Sequence, residues 1–546
     1  MQLDRISGEA SELVDAVLEG VHAFASGRWA PLERIGDTNG PAWGPSGVIM
    51  PPGFREAYQA YVEDGWGSVG SPMEFGGQGL PAALSSAVLE TLGTANMGFA
   101  LAPMLTIGAV EALAAHGTPE QQAAYLPRLS TGEWTGTMNL TEPQAGSDVG
   151  ALKTRAVPAG DGKWKISGTK IFISYGDHDL ADNIVHLVLA RTPGAPEGTR
   201  GISLFLVPKF RPGKDGARAI PNDVRAVSIE HKLGLHASPT CVLSFGDNGD
   251  CIGELIGPEF GGIRAMFTMM NNARLNVGLQ GIQVAERATQ RAVTYARERV
   301  QGKRGGKQVA IIEHPDVRRM LLRMKAQTQA ARVLVYYAFG QLDRARAGDA
   351  TALARVELLT PLAKAHGTDL GNEVASIGVQ VHGGMGYIEE TGAAQHFRDA
   401  RIIPIYEGTN GIQAADLVAR KLSLEGGATL ASLFQDMLSD ASNPGLRKLI
   451  DACEEVAAIL GCADADTRLA GSYPFLTMLS VAVCGWLMEK SGHIASQAKD
   501  GISFPKMKAA VANFYVEQIV PEALGLQAAA TANSDILYSL SAEELV

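Results

Sequence analysis

The sequence predicts a mainly α-helical protein with a central β domain and a further helical region at its C-terminal end. Three changes of pattern support this prediction. Apolar residues recur three and four positions apart up to about residue 136, and short β-branched or alternating runs replace them between about residues 138 and 250. Helical periodicity then returns from about residue 260. A chain of 546 residues is long enough for roughly three to four domains.

Individual segments support each region in turn. In the first, residues 82–92 and 109–115 have helical spacing, and Thr118, Pro119 and Glu120 form a helix start. In the second, Asp161 and Gly162 predict a hairpin turn between short strands. The predicted strands of this region lie at residues 164–166, 170–173, 184–190, 202–207 and 241–245.

Long helical patterns follow, and a glycine pair interrupts them. The patterns cover residues 261–299, 314–347 and 352–381, and a last helical stretch runs from about 430 to 537, after Gly426 and Gly427. We therefore predict four domains: an N-terminal helical domain at 1–137, a middle β domain at 138–252, a C-terminal helical-bundle domain at 253–425 and an appended helical domain at 426–546.

Composition excludes several classes of protein. The net charge is −11 and no run of Lys or Arg is long enough to follow a phosphate backbone, so nucleic acid is not an expected partner. Asp4, Arg5 and Glu9 precede any apolar stretch, which argues against a secretion signal and for a cytoplasmic location. The apolar residues 473–488 are too few for a membrane span and predict a buried helix. The five cysteines have no spacing typical of disulfides or of zinc, so no metal is expected.

Motif searches also remove common enzyme classes. The sequence has no G-x-x-x-x-G-K-[ST], H-E-x-x-H or G-x-S-x-G pattern, and its one G-x-G-x-x-G match, at residues 65–70, lies in the helical region. This argues against nucleotide triphosphatases, nicotinamide-binding Rossmann enzymes, zinc proteases and α/β-hydrolases.

Four segments carry groups that could bind a ligand or perform chemistry. Residues 138–150 offer hydroxyls and Gly146, although an ordinary turn would have the same composition. Residues 170–176 form a strand end in which Phe172 could stack on a planar ring or lie in the core. Residues 380–388 contain glycines that could approach a phosphate or end a helix. Glu407 follows the apolar run 402–406, where burial would raise its pKa and make it a stronger base; the alternative is a carboxylate interacting with a helix dipole.

Taken in order, these segments resemble the signatures of the acyl-CoA dehydrogenase family. The resemblance is carried by Thr141-Glu-Pro with Gly146-Ser-Asp, by Gly168-Thr-Lys before Phe172, by Gln380 to Gly384, and by Ile405-Tyr-Glu-Gly-Thr. It covers about residues 10–422, and the added tail is similar to a longer subgroup that includes enzymes acting on 3-(methylthio)propanoyl-CoA. The family fold it implies has an α-helical N-terminal domain, a β-barrel-like middle domain and a C-terminal four-helix bundle.

The resemblance implies FAD-dependent oxidation of an acyl-CoA to the trans-2-enoyl-CoA, with electrons passed to an electron-transfer flavoprotein, in a homodimer. The base would be Glu407, since Ala273 occupies the position, next to Arg274, where other members carry it. The residues it assigns to the cofactor are Met138, Leu140, Thr141, Gly146, Ser147, Phe172, Ile173, Ser174, Arg299, Gln380, Gly383, Gly384, Thr409 and Gly411. The residues it assigns to the substrate are Ser147, Asn271, Arg274, Tyr406 and Gly408.

Two departures and two alternatives stay open. Residues 300–308 replace the usual aromatic-glycine segment, which puts the adenine contacts there in doubt, and Met138 stands where many relatives place an aromatic residue. An acyl-CoA oxidase that uses oxygen would share these motifs, and so would a flavin-free scaffold of the same fold. Acyl chain length cannot be predicted from the sequence.

Overall fold

The computed structural model of the protein describes residues 8–213, 218–497 and 503–546, and Asp4 and Arg5 lie outside them. The chain divides into two compact units, Met1–Ala273 and Arg274–Val546. The predicted fold class, mainly helical with a curled central sheet and an extra C-terminal helical region, is confirmed.

The first unit opens with helices, as predicted. Thr118 caps the last of them, because its hydroxyl accepts from the N–H of Gln121 at 3.3 Å and its own N–H donates to the Gln121 side chain at 3.0 Å. Among the described residues one helix, α5, is long and apolar enough to cross a membrane, and 83% of its apolar window is buried inside the protein. The helices are α1 (Gly8–Phe24), α2 (Leu32–Asn39), α3 (Phe54–Glu63), α4 (Ala82–Ala95), α5 (Met97–His116) and α6 (Pro119–Thr131).

Three strands lie where the sequence predicts helix. The hairpin formed by β1 (Ala42–Gly44) and β2 (Gly47–Ile49) is too short to give a periodic signal. The third strand, β3 (Trp134–Asn139), is almost completely buried and pairs in parallel with the later strand β6 (Asn183–Ala190). A strand buried on both faces shows no alternation of polar and apolar residues, which explains why the pattern did not reveal it.

The β domain is built on one eight-stranded sheet. Its strands run in the order β10-β11-β5-β12-β7-β6-β3, with β4 paired to β5, and every pair except β3–β6 is antiparallel. The separate pair β8–β9 lies beside it in the chain. The strands are β4 (Arg155–Gly160), β5 (Lys163–Ser174), β6 (Asn183–Ala190), β7 (Ser203–Pro208), β8 (Phe210–Pro212), β9 (Arg218–Pro221), β10 (Val224–Ile229), β11 (Thr240–Phe245) and β12 (Ile252–Ile256).

The predicted hairpin at Asp161 and Gly162 is confirmed. Their φ angles are +49° and +70°, as a two-residue turn between β4 and β5 requires. The prediction of separate strands at 164–166 and 170–173 is wrong, because β5 is continuous through Gly168. That glycine has φ +151° and lies so close to Thr154 that a Cβ atom would be 2.5 Å from its hydroxyl.

The second unit contains the predicted long helices and a hairpin that the sequence did not predict. Glycines at 305 and 306, with φ +55° and +80°, turn β13 back onto β14, and the side chains of β13 are exposed. The elements are α7 (Gly262–Glu298), whose first residues belong to the first unit, β13 (Val300–Arg304), β14 (Lys307–Ala310), α8 (Pro315–Arg346), α9 (Ala350–His382), α10 (Ala393–Ala400) and α11 (Asn410–Asp416).

The C-terminal extension belongs to this second unit. A break at Glu425, Gly426 and Gly427, all with positive φ, precedes it, and the buried helix predicted at 473–488 is confirmed within α15. Helix α15 packs against α8, α9 and α11. The helices of the extension are α12 (Ala428–Asp440), α13 (Pro444–Cys462), α14 (Ala465–Ala470), α15 (Ser472–Ser496), α16 (Ser503–Phe514), α17 (Val520–Leu524) and α18 (Gln527–Ala530). The four domain boundaries stay predictions.

Candidate active site

In the first unit, the segment after β3 is tied to strand β5. The N–H of Ile171 donates to the carbonyl of Thr141 at 3.0 Å. The Lys170 ammonium donates to the carbonyl of Leu140 at 3.0 Å and to the carboxylate of Glu142 at 2.8 Å. The first two motifs, which lie about thirty residues apart in the sequence, therefore form one surface.

A buried ion pair holds this surface together. Glu142 also accepts from the N–H groups of Lys153 and Thr154, at 2.7 and 3.0 Å, and from the Thr154 hydroxyl at 2.6 Å. Burial pushes the pKa of Glu142 up, but the Lys170 charge and these hydrogen bonds outweigh it and lower the pKa to about 2. Burial lowers the pKa of Lys170 to about 8. The sequence contains both residues within its motifs, but the pattern did not assign them a role.

Phe172 is displayed by a break in the regular pairing of β5. Between Lys170 and Ile173 two residues of β5 face one of β11, which is a β-bulge. Phe172 sits in that bulge with φ +60°, and its side chain is 58% exposed. A bulky residue in the left-handed region costs about 1–3 kcal/mol, so the rest of the strand must impose this conformation. The ring is thus exposed and not part of the core, which was the other position that the sequence left open.

The other predicted cofactor residues of this unit differ in exposure. Ser174, Met138 and Leu140 are half-buried, and Gly146 and Ser147 are exposed. Ile173 belongs to the sheet core and has a buried side chain, so only its backbone could contact a ligand. Asn271, predicted to bind substrate, is an exposed residue of α7.

In the second unit, Glu407 occupies a strained loop before α11. Its φ is +57° and that of Gly408 is +84°, two consecutive left-handed residues. Thr409 then caps α11 by accepting from the N–H of Ile412 at 3.2 Å. A Cβ atom at Gly408 would lie 2.9 Å from the side-chain nitrogen of Gln413, and the φ of +84° is one that residues other than glycine rarely adopt, so glycine is favoured there. Strain of this kind in a non-glycine residue is typical of functional sites.

Two basic side chains act electrostatically on the Glu407 carboxyl. It is half-buried, and burial raises its pKa to about 7 although Arg274 and Lys364 draw the pKa down. Arg274 is buried, and burial lowers its pKa while Asp416 and Glu407 oppose that shift. Lys364 is completely buried, and burial lowers its pKa to about 7. The carboxyl can therefore exchange a proton near neutral pH, as a general base must.

A polar network that the sequence did not reveal supports Lys364. Its ammonium donates to the side-chain oxygen of Asn410 at 2.9 Å, and the Asn410 amide donates to Asp369 at 2.8 Å and to Thr368 at 3.0 Å. A lysine within the apolar stretch 358–365 was the available signal, because a buried lysine needs a partner. Tyr406, a predicted substrate residue, donates its hydroxyl to Gln280 of α7.

The remaining predicted residues lie apart from this cluster. Gln380 is roughly 24 Å beyond Lys364 along α9 at 1.5 Å per residue, near the helix end where Gly383 and Gly384 are exposed. Apart from the glycine itself and its two neighbours in the chain, no described atom lies within 4 Å of the position that a Cβ would take at either glycine, which leaves room for a ligand against the backbone. Arg299 is exposed after α7, and Gly411 is exposed on α11.

These features fit a flavin and a thioester in chemical terms. The first unit presents an exposed aromatic ring beside hydroxyl groups, and the second presents open glycines and a carboxyl that titrates near pH 7. Backbone amides at open glycines suit a pyrophosphate. Taken unit by unit, the ring of Phe172 could contact an isoalloxazine, the open glycines could contact a pyrophosphate, and Glu407 could remove a weakly acidic proton.

Family models match the chain in order along its length. The acyl-CoA dehydrogenase N-terminal, middle and C-terminal domains match residues 12–133, 137–248 and 261–422, and an acetyl-CoA dehydrogenase C-terminal-like domain matches 429–541.

Similar proteins carry related names. A 3-methylmercaptopropionyl-CoA dehydrogenase of Ruegeria pomeroyi is 46% identical, over 96% of this chain and 93% of that protein. A butyryl-CoA dehydrogenase of Syntrophomonas wolfei is 36% identical, over 88% of this chain and 85% of that protein. The solved acyl-CoA dehydrogenase of Bacillus anthracis complexed with FAD shares the fold, with a TM-score of 0.79 and 22% identity over 99% of this chain and 91% of that one. The chain therefore belongs to the acyl-CoA dehydrogenase family of oxidoreductases.

Proposed function

We propose that this chain binds FAD and oxidises an acyl-CoA thioester to the trans-2-enoyl-CoA, with Glu407 as the catalytic base. The observation that carries the proposal is the state of Glu407. It is a half-buried carboxyl in a left-handed conformation, and burial raises its pKa to about 7 although Arg274 and Lys364 draw the pKa down. Such a group takes a proton at neutral pH far better than an ordinary carboxylate does.

The residues of the chain divide the work as follows. Glu407 removes the α-proton, and its own backbone N–H helps to hold the thioester oxygen where negative charge develops. Thr141, Phe172 and Ser174 hold the flavin ring, and Ser147, Asn271, Arg274, Tyr406 and Gly408 position the acyl-CoA. Bound FAD supplies the acceptor for the β-hydride. One hydrogen-bond donor to the oxyanion is typically worth a factor of about 10² to 10³ in rate.

The proposed substrate is 3-(methylthio)propanoyl-CoA or a short to medium straight-chain acyl-CoA. The name of the Ruegeria relative supports the first and that of the Syntrophomonas relative supports the second. Adding, removing or replacing one methylene changes the binding free energy by only about 1–3 kcal/mol, so one pocket could accept either substrate. A panel of acyl-CoA thioesters of graded length, with the thioether included, tested by flavin bleaching would rank them.

The proposed partners are an electron-transfer flavoprotein and a second copy of the chain. The family resemblance supports the dimer, in which Gln380, Gly383 and Gly384 would serve the adenosine end of a cofactor bound in the partner. Sedimentation of the yellow protein would test whether it is a dimer.

The electron acceptor is tested by turnover with and without oxygen. Turnover that needs oxygen and does not need an electron-transfer flavoprotein would show that the protein is an oxidase and not a dehydrogenase. The cytoplasmic location stays a prediction.

Glu407→Gln tests the base. We expect the variant to purify with yellow FAD but not to bleach when acyl-CoA is added without oxygen. Glu425→Gln is a matched control, since Glu425 also has a positive φ, +50°, and is followed by a left-handed glycine. The control should bleach as the wild type does. Full bleaching of Glu407→Gln would remove Glu407 as the base, and a colourless wild-type protein would favour the flavin-free scaffold.

A further inference from the structure

The C-terminal extension makes a polar contact with the helix that carries Lys364. Tyr473, in the first turn of α15, donates its hydroxyl to the carboxylate of Asp369 on α9 at 2.6 Å. The tyrosine is 39% exposed and Asp369 is half-buried, so the contact lies at the edge of the packed region.

Asp369 continues the contact toward Glu407. Its other oxygen accepts from the Asn410 amide nitrogen at 2.8 Å, and that amide nitrogen also donates to the carbonyl of Ala365 at 3.1 Å. The orientation of the Asn410 amide is thereby fixed, and its oxygen faces the Lys364 ammonium at 2.9 Å. Asn410 lies three residues after Glu407, so the same short segment holds both ends of the network.

We propose that Tyr473 is a positioning residue that fixes Lys364 beside Glu407 through Asp369 and Asn410. The inference rests on the proposed role of Glu407 as base. It gives the C-terminal extension a part in the reaction, because the extension then determines how the cation next to the base is held.

Several charged groups of the described residues act on this cluster. Arg274 and Lys364 act on Glu407, and Asp416 and Arg420 act in turn on Arg274. Tyr406 donates its hydroxyl to Gln280, and burial, together with the charge of Glu407, raises the pKa of Tyr406. Arg401 acts on Asp369 together with Lys364, Asn410 and Tyr473. Of these groups, Tyr473 is the one supplied by the extension.

The direction of the effect follows from charge. Burial raises the pKa of Asp369, and the Tyr473 hydroxyl opposes that shift by donating to the carboxylate. Without the hydroxyl Asp369 binds a proton more readily, and Lys364 loses a negative partner. A Lys364 that is neutral, or less firmly held, stabilises ionised Glu407 less. The base then requires a higher pH to ionise.

Tyr473→Phe tests this with a change of one oxygen atom. In the purified holoenzyme, the acidic limb of the kcat/KM profile with acyl-CoA should move to higher pH by roughly half a unit, less than the one to three units expected of a direct charged neighbour. Tyr337→Phe is the matched control, because the Tyr337 hydroxyl accepts from Arg355 at 3.0 Å at another contact with the extension. Its profile should coincide with that of the wild type.

A second readout follows the carboxyl directly. Infrared difference spectra taken across the same pH range should show the protonated carboxyl band of Glu407, identified by its loss in Glu407→Gln. In Tyr473→Phe the midpoint pH at which that band disappears should be higher than in the wild type. Asp369→Asn should move the limb in the same direction, and the double variant should move it less than the sum of the two, since both act through one network.

Superposition of the Tyr473→Phe and Tyr337→Phe profiles, or fully additive shifts in the double variant, would overturn the proposal. Either result could occur while Glu407→Gln still fails to bleach, in which case the base assignment stands and the positioning role falls. Bleaching in Glu407→Gln would overturn both.

Discussion

Lys170 and Glu142 form an ion pair almost completely removed from solvent, with 2.8 Å between the ammonium and the nearest carboxylate oxygen and side chains that are 0% and 4% exposed. The pair joins the loop that carries Thr141 to the strand that displays Phe172. Removing one member of a buried pair leaves the other charged group without compensation, which costs far more than the pair contributes.

Lys170→Met should therefore lower the free energy of unfolding by about 3–5 kcal/mol and weaken retention of the flavin. Denaturant titration would measure the free energy of unfolding, and the ratio of flavin absorbance to protein absorbance would measure how much flavin the purified protein retains. Lys163→Met is the control on the same strand, because Lys163 pairs with Glu254 at the surface and is 46% exposed. Its loss should cost at most about 1 kcal/mol, and equal losses in both variants would contradict the argument.

The same pair should make stability depend on acid. Folding lowers the pKa of Glu142 from 4.5 to about 2, so its contribution is fully present above pH 4.5 and is lost as the pH falls from 4.5 toward 2. Glu142→Gln should reduce the slope of unfolding free energy against pH in this window. Denaturant titrations at half-unit steps would measure the slope, and an unchanged slope in the variant would show that other carboxyls are responsible.

Glu407 should set the acidic limb of the activity profile. Its pKa is raised to about 7, and the base must be ionised, so kcat/KM should level off above pH 7 and fall tenfold per unit well below it. Steady-state rates with an artificial electron acceptor between pH 5 and 9 would measure the limb. A limb near pH 4.5, the ordinary range of a glutamate, would mean that burial does not control this carboxyl in the free enzyme.

Gly408→Ala should affect activity more than stability. Alanine is strained in a backbone with φ +84°, and its Cβ would also meet the Gln413 side chain at 2.9 Å, so we expect the loop to shift and to move Glu407. We expect kcat to fall by about one to two orders of magnitude, since a displacement near 1 Å can cost about 10²-fold. Gly340→Ala in α8 is the control, because no described atom lies within 4 Å of its added carbon. It should leave kcat unchanged, and similar rates in both variants would contradict a strict requirement for glycine at 408.

The sequence predicted those parts of the fold whose signal is local. The helix start at Thr118, the turn at Asp161 and Gly162 and the break at Gly426 depend on residues within a few positions of one another, and all three were confirmed. Strand β3 was missed because burial on both faces removes alternation. The hairpin of β13 and β14 was missed because its exposed polar residues resemble a loop.

The candidate site divides in the same way. Phe172 and Glu407 were predicted from motifs, and their roles stay predictions, but the bulge that exposes one and the backbone strain of the other arise from pairing and packing with distant residues. Lys364 and Tyr473 were not found, because their partners are separated from them by tens of residues in the sequence and only the folded helices bring them together. A network of this kind has no periodic pattern.

Leu479→Ala tests whether the C-terminal extension folds with the rest of the second unit. Leu479 is completely buried in α15, a helix that packs against α8 and α9, so the cavity should cost about 2–5 kcal/mol. Because the extension is tied to α8 and α9 by Arg323 with Glu522 and by Arg355 with Asp436, at 2.7 and 2.9 Å, residues 274–546 should unfold in one transition. Hydrogen exchange should show protection falling together in α9 and α15.

The control is Ile494→Ala, on the same helix but 63% exposed, which should change the unfolding free energy by less than about 0.5 kcal/mol. Loss of protection confined to α15 in Leu479→Ala would mean that the extension opens by itself, and the positioning of Lys364 would then depend on a layer that can detach from the bundle.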